Sequence, residues 1–240
     1  MSYKTAIITG AGRGIGKSIA VGLAKLNYKT ILISKNLANL EQTKNLILKE
    51  IENEKIVPDI FPIDLKDVYN LENRIKKIIS RYDSIDIVVN NAGIYIPGSL
   101  DCTLDDFAEI QNINLFAPFI LVKAIVEKMK SQKSGYIFNI SSRAGKIGFA
   151  RTGVYSASKF ALAGFSESLY RELTEYGIKV TTICLGWVNT DMAYEANTPI
   201  QSSEMIQPED IFKTINYLLT LSKSVAIKEI VIESGKSLEY

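Results

Sequence analysis

The chain alternates between short apolar runs and longer stretches in which apolar residues recur every three or four positions. The short runs are rich in Ile and Val, which is typical of strands buried on both faces of a sheet, whereas the longer stretches have the spacing of helices. We predict seven strands, at Lys4–Thr9, Lys29–Ser34, Ile56–Ile63, Ile85–Asn90, Gly135–Ser141, Ile178–Leu185 and Val225–Ile232. We predict six helices, at Ile15–Leu26, Leu37–Glu52, Val68–Tyr82, Leu104–Lys130, Tyr155–Tyr176 and Pro208–Leu221.

Regular alternation of strands and helices indicates parallel strands joined by right-handed crossovers. The predicted fold class is therefore α/β, with a doubly wound seven-stranded parallel sheet and helices on both faces. No Pro/Gly/Ser-rich linker or internal repeat marks a second domain, so residues 1–240 are expected to form one domain. Ligands of such sheets bind beyond the carboxyl ends of the strands, and the residues that follow each strand are the candidates for function.

The composition is that of a globular protein with a sizeable core, since 47% of the residues are hydrophobic and 22% are charged. The basic residues are scattered and the formal net charge is +2, so we expect no nucleic-acid partner. No apolar run approaches the roughly 20 residues that span a bilayer, and the N-terminus lacks the pattern of a secretory signal. We therefore expect a cytoplasmic protein with no membrane partner.

The chain contains no histidine, which removes the commonest acid/base group and the commonest metal ligand together. Ser-His-Asp hydrolysis is excluded, and we predict no metal site. Cys102 and Cys184 are too few and too far apart for a disulfide framework, and we interpret them as free thiols. Proton transfer near neutral pH must then use a carboxylate, or a tyrosine or lysine with a shifted pKa.

A glycine-rich loop follows the first predicted strand and leads directly into a helix, with the sequence TGAGRGIG at Thr9–Gly16. Glycines permit positive φ and close approach to a phosphate, and the first turn of a helix offers unpaired N–H donors. An ordinary glycine-rich loop is the alternative, but the strand before and the helix after it favour a dinucleotide pyrophosphate site. The residues predicted to bind it are Gly10, Gly12, Arg13, Gly14, Ile15 and Gly16.

The end of the second strand predicts which dinucleotide is preferred. Domains that select NAD place Asp or Glu there to bind the ribose 2′-hydroxyl, whereas this chain has Ser34, Lys35 and Asn36. A cation among small polar groups suits a 2′-phosphate, and Arg13 can add a second positive charge. We therefore predict a preference for NADP(H) over NAD(H). The alternative is that Lys35 and Arg13 are solvated surface cations.

Tyr155 and Lys159 are four residues apart on one face of a predicted helix. An ammonium near a phenol favours the phenolate and is expected to lower the pKa of Tyr155 from its usual value near ~10. Ser142 follows the fifth strand and can face the same cleft, where its hydroxyl can hold a substrate oxygen. Ser141 is the rival for that role, and a turn-forming serine is the alternative.

These motifs resemble the classical short-chain dehydrogenase/reductase family, and especially its 3-oxoacyl-[acyl-carrier-protein] reductase-like members, over nearly the whole chain. They occur in the family's order: TGAGRGIG at Thr9–Gly16, Asp64-Leu65, NNAG at Asn90–Gly93, Asn114-Leu115, Ser142, and YSASK at Tyr155–Lys159. The resemblance implies a Rossmann fold that binds NADP(H) and a catalytic tetrad. The tetrad consists of Asn114, Ser142, Tyr155 and Lys159.

The resemblance also implies a role for each residue. Ser142 and Tyr155 hold the carbonyl oxygen and Tyr155 gives the proton. Lys159 binds the nicotinamide ribose and tunes the tyrosine, while Asn114 supports a proton-relaying water. Without the resemblance, Asn114 would be interpreted as a helix kink or a satisfied polar residue. The remaining cofactor contacts that it implies are Asp64 and Leu65 near the adenine, and Asn90, Ala92 and Gly93 beside the ribose.

The loop after the sixth strand departs from the family's pattern, because Leu185 stands where a proline is usual. Gly186, Val188 and Thr190 match the pattern, which implies that they still contact the nicotinamide end of the cofactor. Loss of a fixed φ puts the rigidity of this loop in question. The lid segment, about residues 190–207, is expected to cover the substrate and nicotinamide.

The activity implied is NADPH-dependent reduction of a carbonyl to an alcohol, with a 3-oxoacyl thioester as the leading substrate. A general carbonyl, sugar or pterin reductase, and a non-catalytic NADPH-sensing protein, are the alternatives. The predicted substrate lining is Arg143–Gly153, Ile94–Pro97, Trp187 and the lid segment. Arg143, Lys146 and Arg151 either attract an anionic group or are solvated cations. The resemblance further implies a homodimer or homotetramer built on the helices Tyr155–Tyr176 and Leu104–Lys130.

Overall fold

A computed structural model describes residues 3–53 and 56–239 and shows one seven-stranded sheet in which every pairing is parallel. The strand order is β3-β2-β1-β4-β5-β6-β7, so the predicted fold class is confirmed. The chain reverses its direction of winding between β1 and β4, which places a crevice at the carboxyl ends of these two strands. The strands are β1 Thr5–Thr9, β2 Lys29–Ser34, β3 Asp59–Pro62, β4 Ile87–Asn90, β5 Gly135–Ser142, β6 Ile178–Leu185 and β7 Glu229–Ile232.

Helices cover both faces of the sheet. They are α1 Gly14–Lys25, α2 Leu37–Glu50, α3 Val68–Ile79, α4 Leu104–Gln111, α5 Ala117–Gln132, α6 Gly153–Leu173, α7 Asp191–Glu195 and α8 Pro208–Thr220. Neighbouring strand residues point to opposite faces, and β1 shows the result: Ile8 packs into the core on the side of α1, α2 and α8, and Ile7 into the core on the side of α3, α5 and α6. Two apolar cores thus hold the strand ends, and the loops on them, in fixed positions.

Several predicted boundaries differ from the observed ones by one to three residues, and three differences have a clear structural reason. The helix predicted at Leu104–Lys130 is divided into α4 and α5 by a π-helical turn at Asn112–Phe116. The third strand begins at Asp59 instead of Ile56, directly after Pro58, which has no N–H to donate to a sheet. The seventh begins at Glu229 instead of Val225 because only the later residues pair with β6.

The stretch Leu104–Gln132 contains an 18-residue window with a mean hydropathy of 1.3, so by length and composition it could span a membrane. The sequence predicted no such run, because its polar residues interrupt every purely apolar segment. In the structure this stretch is a core helix of the domain: Leu121, Ile125 and Met129 pack into the core beside α3 and α6. That packing accounts for the buried apolar residues of the stretch, whereas Leu104, Phe107, Phe116 and Phe119 remain exposed.

Candidate active site

The glycine-rich loop after β1 has a backbone that only glycine adopts easily. Gly10 and Gly14 have φ values of +66° and +53°, in the left-handed region that is unfavourable for other residues. A Cβ atom on Gly16 would lie 2.3 Å from the carbonyl oxygen of Gly10. Helix α1 begins at Gly14 with no side-chain cap and no acidic residue in its first turn, so its N–H groups and dipole favour an anion.

The loop after β4 is locked to the glycine loop by Thr9 and Asn91. The Thr9 hydroxyl accepts hydrogen bonds from the backbone N–H groups of Asn91 and Ala92, each at 3.0 Å. The Asn91 side chain donates to the Thr9 carbonyl at 2.9 Å. Thr9 and Asn91 were not among the predicted site residues, although both lie within the two motifs that were singled out. They hold Ala92 and Gly93 at the edge of the crevice.

Asn90 is oriented into the protein interior. Its amide nitrogen donates to the Asn139 side chain at 2.7 Å, and Asn139 donates to the Ser166 hydroxyl at 2.7 Å. The Asn90 side-chain oxygen is buried and has no hydrogen-bond partner among the described residues. The side chain therefore ties β4 to β5 and α6.

The adenosine end of the predicted site contains an ion pair that the sequence did not predict. The Lys35 ammonium lies 2.9 Å from the Asp64 carboxylate, so the residue predicted to bind the 2′-phosphate is paired with the one predicted to lie near the adenine. Partial burial raises the pKa of Asp64, but hydrogen bonds from Lys35 and the Lys66 backbone outweigh it and lower the pKa overall. Asn36 caps α2 by accepting from the Asn39 N–H at 3.0 Å.

Arg13 is also paired with carboxylates, but on the other side of the loop. Its guanidinium lies 2.7 Å from Asp191 and 3.8 Å from Glu195, both on helix α7 of the lid segment. All three side chains are more than half exposed. The two cations predicted to be available to a phosphate are thus each held by an acidic partner.

Tyr155 and Lys159 lie on α6 as predicted, with the Lys159 Nζ 5.7 Å from the centre of the Tyr155 ring. Burial lowers the pKa of Lys159 to about 8, and its ammonium donates to the Ile140 carbonyl at 3.1 Å. The expectation that Lys159 lowers the pKa of Tyr155 is wrong for the protein alone. Burial raises that pKa to about 12, and the Ser142 hydroxyl offsets only part of the increase.

Ser142, and not Ser141, faces the tyrosine. Its hydroxyl accepts from the Ala144 N–H at 3.1 Å and is within hydrogen-bonding reach of Tyr155. Ser141 is buried and its hydroxyl is directed at the Lys159 carbonyl, 3.4 Å away, on the backbone of α6. Because successive residues of a strand face opposite sides, the end of β5 presents only one of the two hydroxyls to the cleft.

Asn114 lies in the π-helical turn and is fully buried. Its side-chain oxygen accepts from the Ile94 N–H at 2.9 Å, and its amide nitrogen donates to the Ile94 carbonyl and the Ser158 hydroxyl, each at 3.0 Å. Ser158 in turn donates to the Tyr155 carbonyl at 2.7 Å. Ser158 was missed by sequence reasoning, although it lies inside the YSASK motif. Asn114 therefore lies at a helix distortion with its side-chain oxygen and nitrogen both hydrogen-bonded. It is connected to the backbone of Tyr155 through Ser158.

The loop after β6 is held without the family's proline. The Gly186 N–H donates to the Ile232 carbonyl at 2.9 Å, and Val188 and Ile206 form an isolated parallel bridge. The Ile206 N–H donates to the Trp187 carbonyl at 3.0 Å. These hydrogen bonds tie the loop to β7 and to the C-terminal end of the lid segment. They restrain its backbone although Leu185 lacks the fixed φ of a proline. Thr190 follows the loop, and its hydroxyl donates to the Val188 carbonyl at 3.3 Å.

The predicted substrate lining contains one aromatic contact with the tyrosine and one cation without an acidic partner. Tyr95 packs edge-on against Tyr155, with the ring centres 5.2 Å apart. Arg143 is held by Glu233 at 3.0 Å and Lys146 by Glu229 at 3.0 Å. Arg151 is exposed, and no carboxylate within residues 3–53 and 56–239 lies within 4.0 Å of it. Of these three cations, only Arg151 forms no ion pair within 4.0 Å in the described residues, and its charge adds to the backbone hydrogen bonds that lower the pKa of Asp101.

Comparisons with known proteins identify the family. The model of the family described as short chain dehydrogenase matches residues 4–201. The chain is similar to an uncharacterized oxidoreductase of Thermotoga maritima, with 36% identity over 92% of this chain and 84% of the relative. It is also similar to a 3-oxoacyl-[acyl-carrier-protein] reductase of Synechocystis sp., with 31% identity over 92% of this chain and 90% of the relative.

Solved structures of short-chain reductases have a similar overall fold. A betaketoacyl-[ACP] reductase from Bacteroides thetaiotaomicron superposes with a TM-score of 0.87 at 44% identity, covering 99% of this chain and 100% of that one. A metagenomic short-chain oxidoreductase in complex with NADP superposes with a TM-score of 0.82 at 27% identity, covering 96% of each chain.

Proposed function

The chain belongs to the short-chain dehydrogenase family, and from this premise we propose that it reduces a carbonyl group to an alcohol with NADPH. The observation that carries the proposal is the convergence of Tyr155, Lys159 and Ser142. The Lys159 Nζ lies 3.5 Å from the position of a Cβ on Gly93, in the loop that Thr9 and Asn91 lock to the glycine loop. Asn114 completes the proposed catalytic tetrad through Ser158. These groups supply acid/base chemistry in a chain that has no histidine.

The residues at the crevice fit a nicotinamide dinucleotide. A Cβ on Gly16 would collide with the Gly10 carbonyl, so glycine lets the loop fold tightly against the start of α1. The N-terminus of α1 has no side-chain cap, and its free N–H groups suit a pyrophosphate. When bound, the cofactor supplies the hydride. The residues proposed to hold it are Gly10, Gly12, Arg13, Gly14, Ile15, Gly16, Ser34, Lys35, Asn36, Asp64, Leu65, Asn90, Ala92, Gly93, Tyr155, Lys159, Gly186, Val188 and Thr190.

The pKa values of Tyr155 and Lys159 support a different catalytic role for each side chain. Because burial raises the pKa of Tyr155 to about 12, the phenol keeps its proton at neutral pH and can donate it to an alkoxide that develops on the substrate. Ser142 donates a second hydrogen bond to the same oxygen. Lys159 has a pKa of about 8 and is mostly charged at pH 7, so its ammonium favours the phenolate that remains after proton transfer.

We propose a 3-oxoacyl thioester as the substrate class. The named relatives from Synechocystis and Bacteroides thetaiotaomicron support it, as does Arg151 near the cleft, which is suited to an anionic carrier group. A general carbonyl, sugar or pterin reductase is the second candidate, favoured by the aromatic edge contact of Tyr95 with Tyr155, which suits a compact ring or ketone. A non-catalytic NADPH sensor is disfavoured because the tetrad is complete.

Turnover of a substrate panel tests the proposal. NADPH absorbance would be followed with 3-oxoacyl thioesters, simple ketones, aldehydes and sugars, using the wild type and Tyr155→Phe. We expect turnover of a thioester and a loss of at least 10²-fold in Tyr155→Phe, because general acid catalysis contributes about that much. Tyr95→Phe is the matched control, since it removes a neighbouring phenol hydroxyl and keeps the ring contact. Binding of NADPH without turnover of any substrate would instead favour the sensor.

We further propose that the protein acts in the cytoplasm, as one domain over residues 1–240 with the lid segment at about 190–207. We propose that it assembles as a homodimer or homotetramer. The assembly is supported by apolar side chains that remain exposed on the helices at Leu104–Gln132. Its small-molecule or carrier-bound substrate would enter between the lid segment and Tyr95.

A further inference from the structure

Arg13 lies between two regions of the molecule that have different roles in the proposed function. On one side, a Cβ placed on Gly12 would lie 2.9 Å from the Asn39 Cβ and 3.3 Å from the Ser34 hydroxyl, so the loop directly adjoins the end of β2. On the other side, a Cβ placed on Gly14 would lie 3.1 Å from the Thr190 methyl group. The side chain between these glycines can therefore reach either the adenosine end of the site or the lid segment.

In the structure, Arg13 is directed to the lid segment. Its guanidinium donates to the Asp191 carboxylate at 2.7 Å, with Glu195 at 3.8 Å. Asp191 and Glu195 lie at the two ends of the five-residue helix α7, and Arg13 is the N-cap residue of α1. The contact joins residues separated by 178 positions in the sequence and fastens the lid segment to the glycine loop.

We infer that Asp191 and Glu195 set the cofactor selectivity of this protein by competing with a ribose 2′-phosphate for the Arg13 guanidinium. The inference rests on the proposed function, in which Arg13 binds that phosphate. A guanidinium binds phosphates and carboxylates with the same N–H donors. Arg13 is directed to the lid segment through Nη1, whereas Ser34 and Asn39 lie on the Gly12 side of the loop, so we expect the side chain to leave the carboxylates when it turns towards a 2′-phosphate. The two carboxylates also repel a phosphate dianion. NADPH therefore has to release the lid segment from Arg13, whereas NADH does not.

A second consequence concerns the lid segment itself. Its small apolar cluster of Ala193, Ile200 and Met205 packs against Trp187, the only tryptophan in the chain. Release of Asp191 from Arg13 removes one of the contacts that hold α7 against the glycine loop. Adenine nucleotides that lack nicotinamide should therefore change the emission of Trp187 when they carry a 2′-phosphate and leave it unchanged when they do not.

Two nucleotides that lack nicotinamide test the competition, namely 2′,5′-ADP and 5′-AMP, which differ only in the 2′-phosphate. Their dissociation constants would be measured by calorimetry for the wild type and for the double variant Asp191→Asn/Glu195→Gln. We expect the double variant to bind 2′,5′-ADP about fivefold more tightly, which is the upper range for an exposed ion pair. Its affinity for 5′-AMP should stay within twofold of the wild type. Glu204→Gln is the control, because it removes one charge from the exposed part of the same segment.

The outcomes separate this inference from the proposed function. An unchanged affinity for 2′,5′-ADP in the double variant, or equal tightening of both nucleotides, would overturn the competition. The same holds if Glu204→Gln gives the full effect. Arg13→Ala should weaken 2′,5′-ADP selectively. If it does, the cofactor preference stands whatever the double variant shows; if it does not, the competition fails and the preference has to rest on Lys35 alone.

Discussion

At the scale of single residues, Lys159 is the most unusual group in the molecule. It is 5% exposed, and its ammonium has a backbone carbonyl as its hydrogen-bond partner and no carboxylate within 4.0 Å in the described part of the chain. Burial therefore lowers its pKa from 10.5 to about 8, a change that corresponds to roughly 3 kcal/mol against the charged form in the fold. A group that we propose for catalysis is thus held at the expense of stability.

We predict that Lys159→Met raises the free energy of unfolding at pH 7 by ~1–3 kcal/mol while it abolishes turnover. The gain should be largest below pH 8. As the pH rises from about 8 towards 10.5, the folded wild type loses its proton before the unfolded chain does, so the wild type gains stability and the difference shrinks. Urea unfolding at several pH values measures this. Lys49→Met, at an exposed position on α2, is the control. A Lys159→Met protein less stable than the wild type at pH 7 would contradict the prediction.

At the scale of elements, the π-helical turn and α6 form one unit through Asn114 and Ser158. The turn directs the Asn114 side chain to both backbone groups of Ile94 and to Ser158, and the next residue, Tyr95, contacts the ring of Tyr155. Ser158 and Ser156 are both buried in the same helix, but Ser156 bonds only to Thr152 at the start of α6. Substitutions of the two serines can therefore distinguish loss of the Asn114–Tyr155 connection from simple destabilisation of α6.

We predict that Ser158→Ala lowers kcat about tenfold with little change in the KM for NADPH, because the tyrosine and Asn114 lose their common support. Ser156→Ala should leave kcat within twofold of the wild type. Each variant should lose about 1 kcal/mol of stability, the usual contribution of one hydrogen bond. Steady-state kinetics with thermal unfolding as the second readout checks both. Equal loss of kcat in the two variants would show that Ser158 supports only the helix.

The same elements show what sequence could and could not predict. The strands and the glycine loop follow from apolar runs and punctuating glycines, which are local signals. The π-helical turn does not, because the apolar spacing of Leu104–Lys130 continues across it and one inserted residue leaves no mark on that pattern. Contacts such as that of Arg13 with Asp191 depend on folding of distant segments. The pKa of Tyr155 depends on burial, which the spacing of Tyr155 and Lys159 could not reveal.

At the scale of the whole molecule, the helices beside the tetrad leave aromatic side chains uncovered. Phe116 and Phe119 are three residues apart on one face and are 47% and 45% exposed. The Phe119 ring contacts Phe165 of α6, with the ring centres 5.8 Å apart, so the exposed face extends over both α5 and α6. Contiguous apolar surface of this kind marks an interface, and we propose a second copy of the chain as its partner.

We predict that the wild type sediments as a dimer or tetramer at micromolar concentration, and that Phe116→Asp/Phe119→Asp shifts it to the monomer. Two buried charges without partners would make association strongly unfavourable. Because Phe116 ends the turn that carries Asn114, the monomeric variant should also lose activity, and the activity of the wild type should fall on dilution. Tyr69→Asp, at a 94% exposed position on α3, should change neither mass nor activity. A wild type that is monomeric and fully active would show that this face has another occupant, and that the tetrad holds its geometry within one chain.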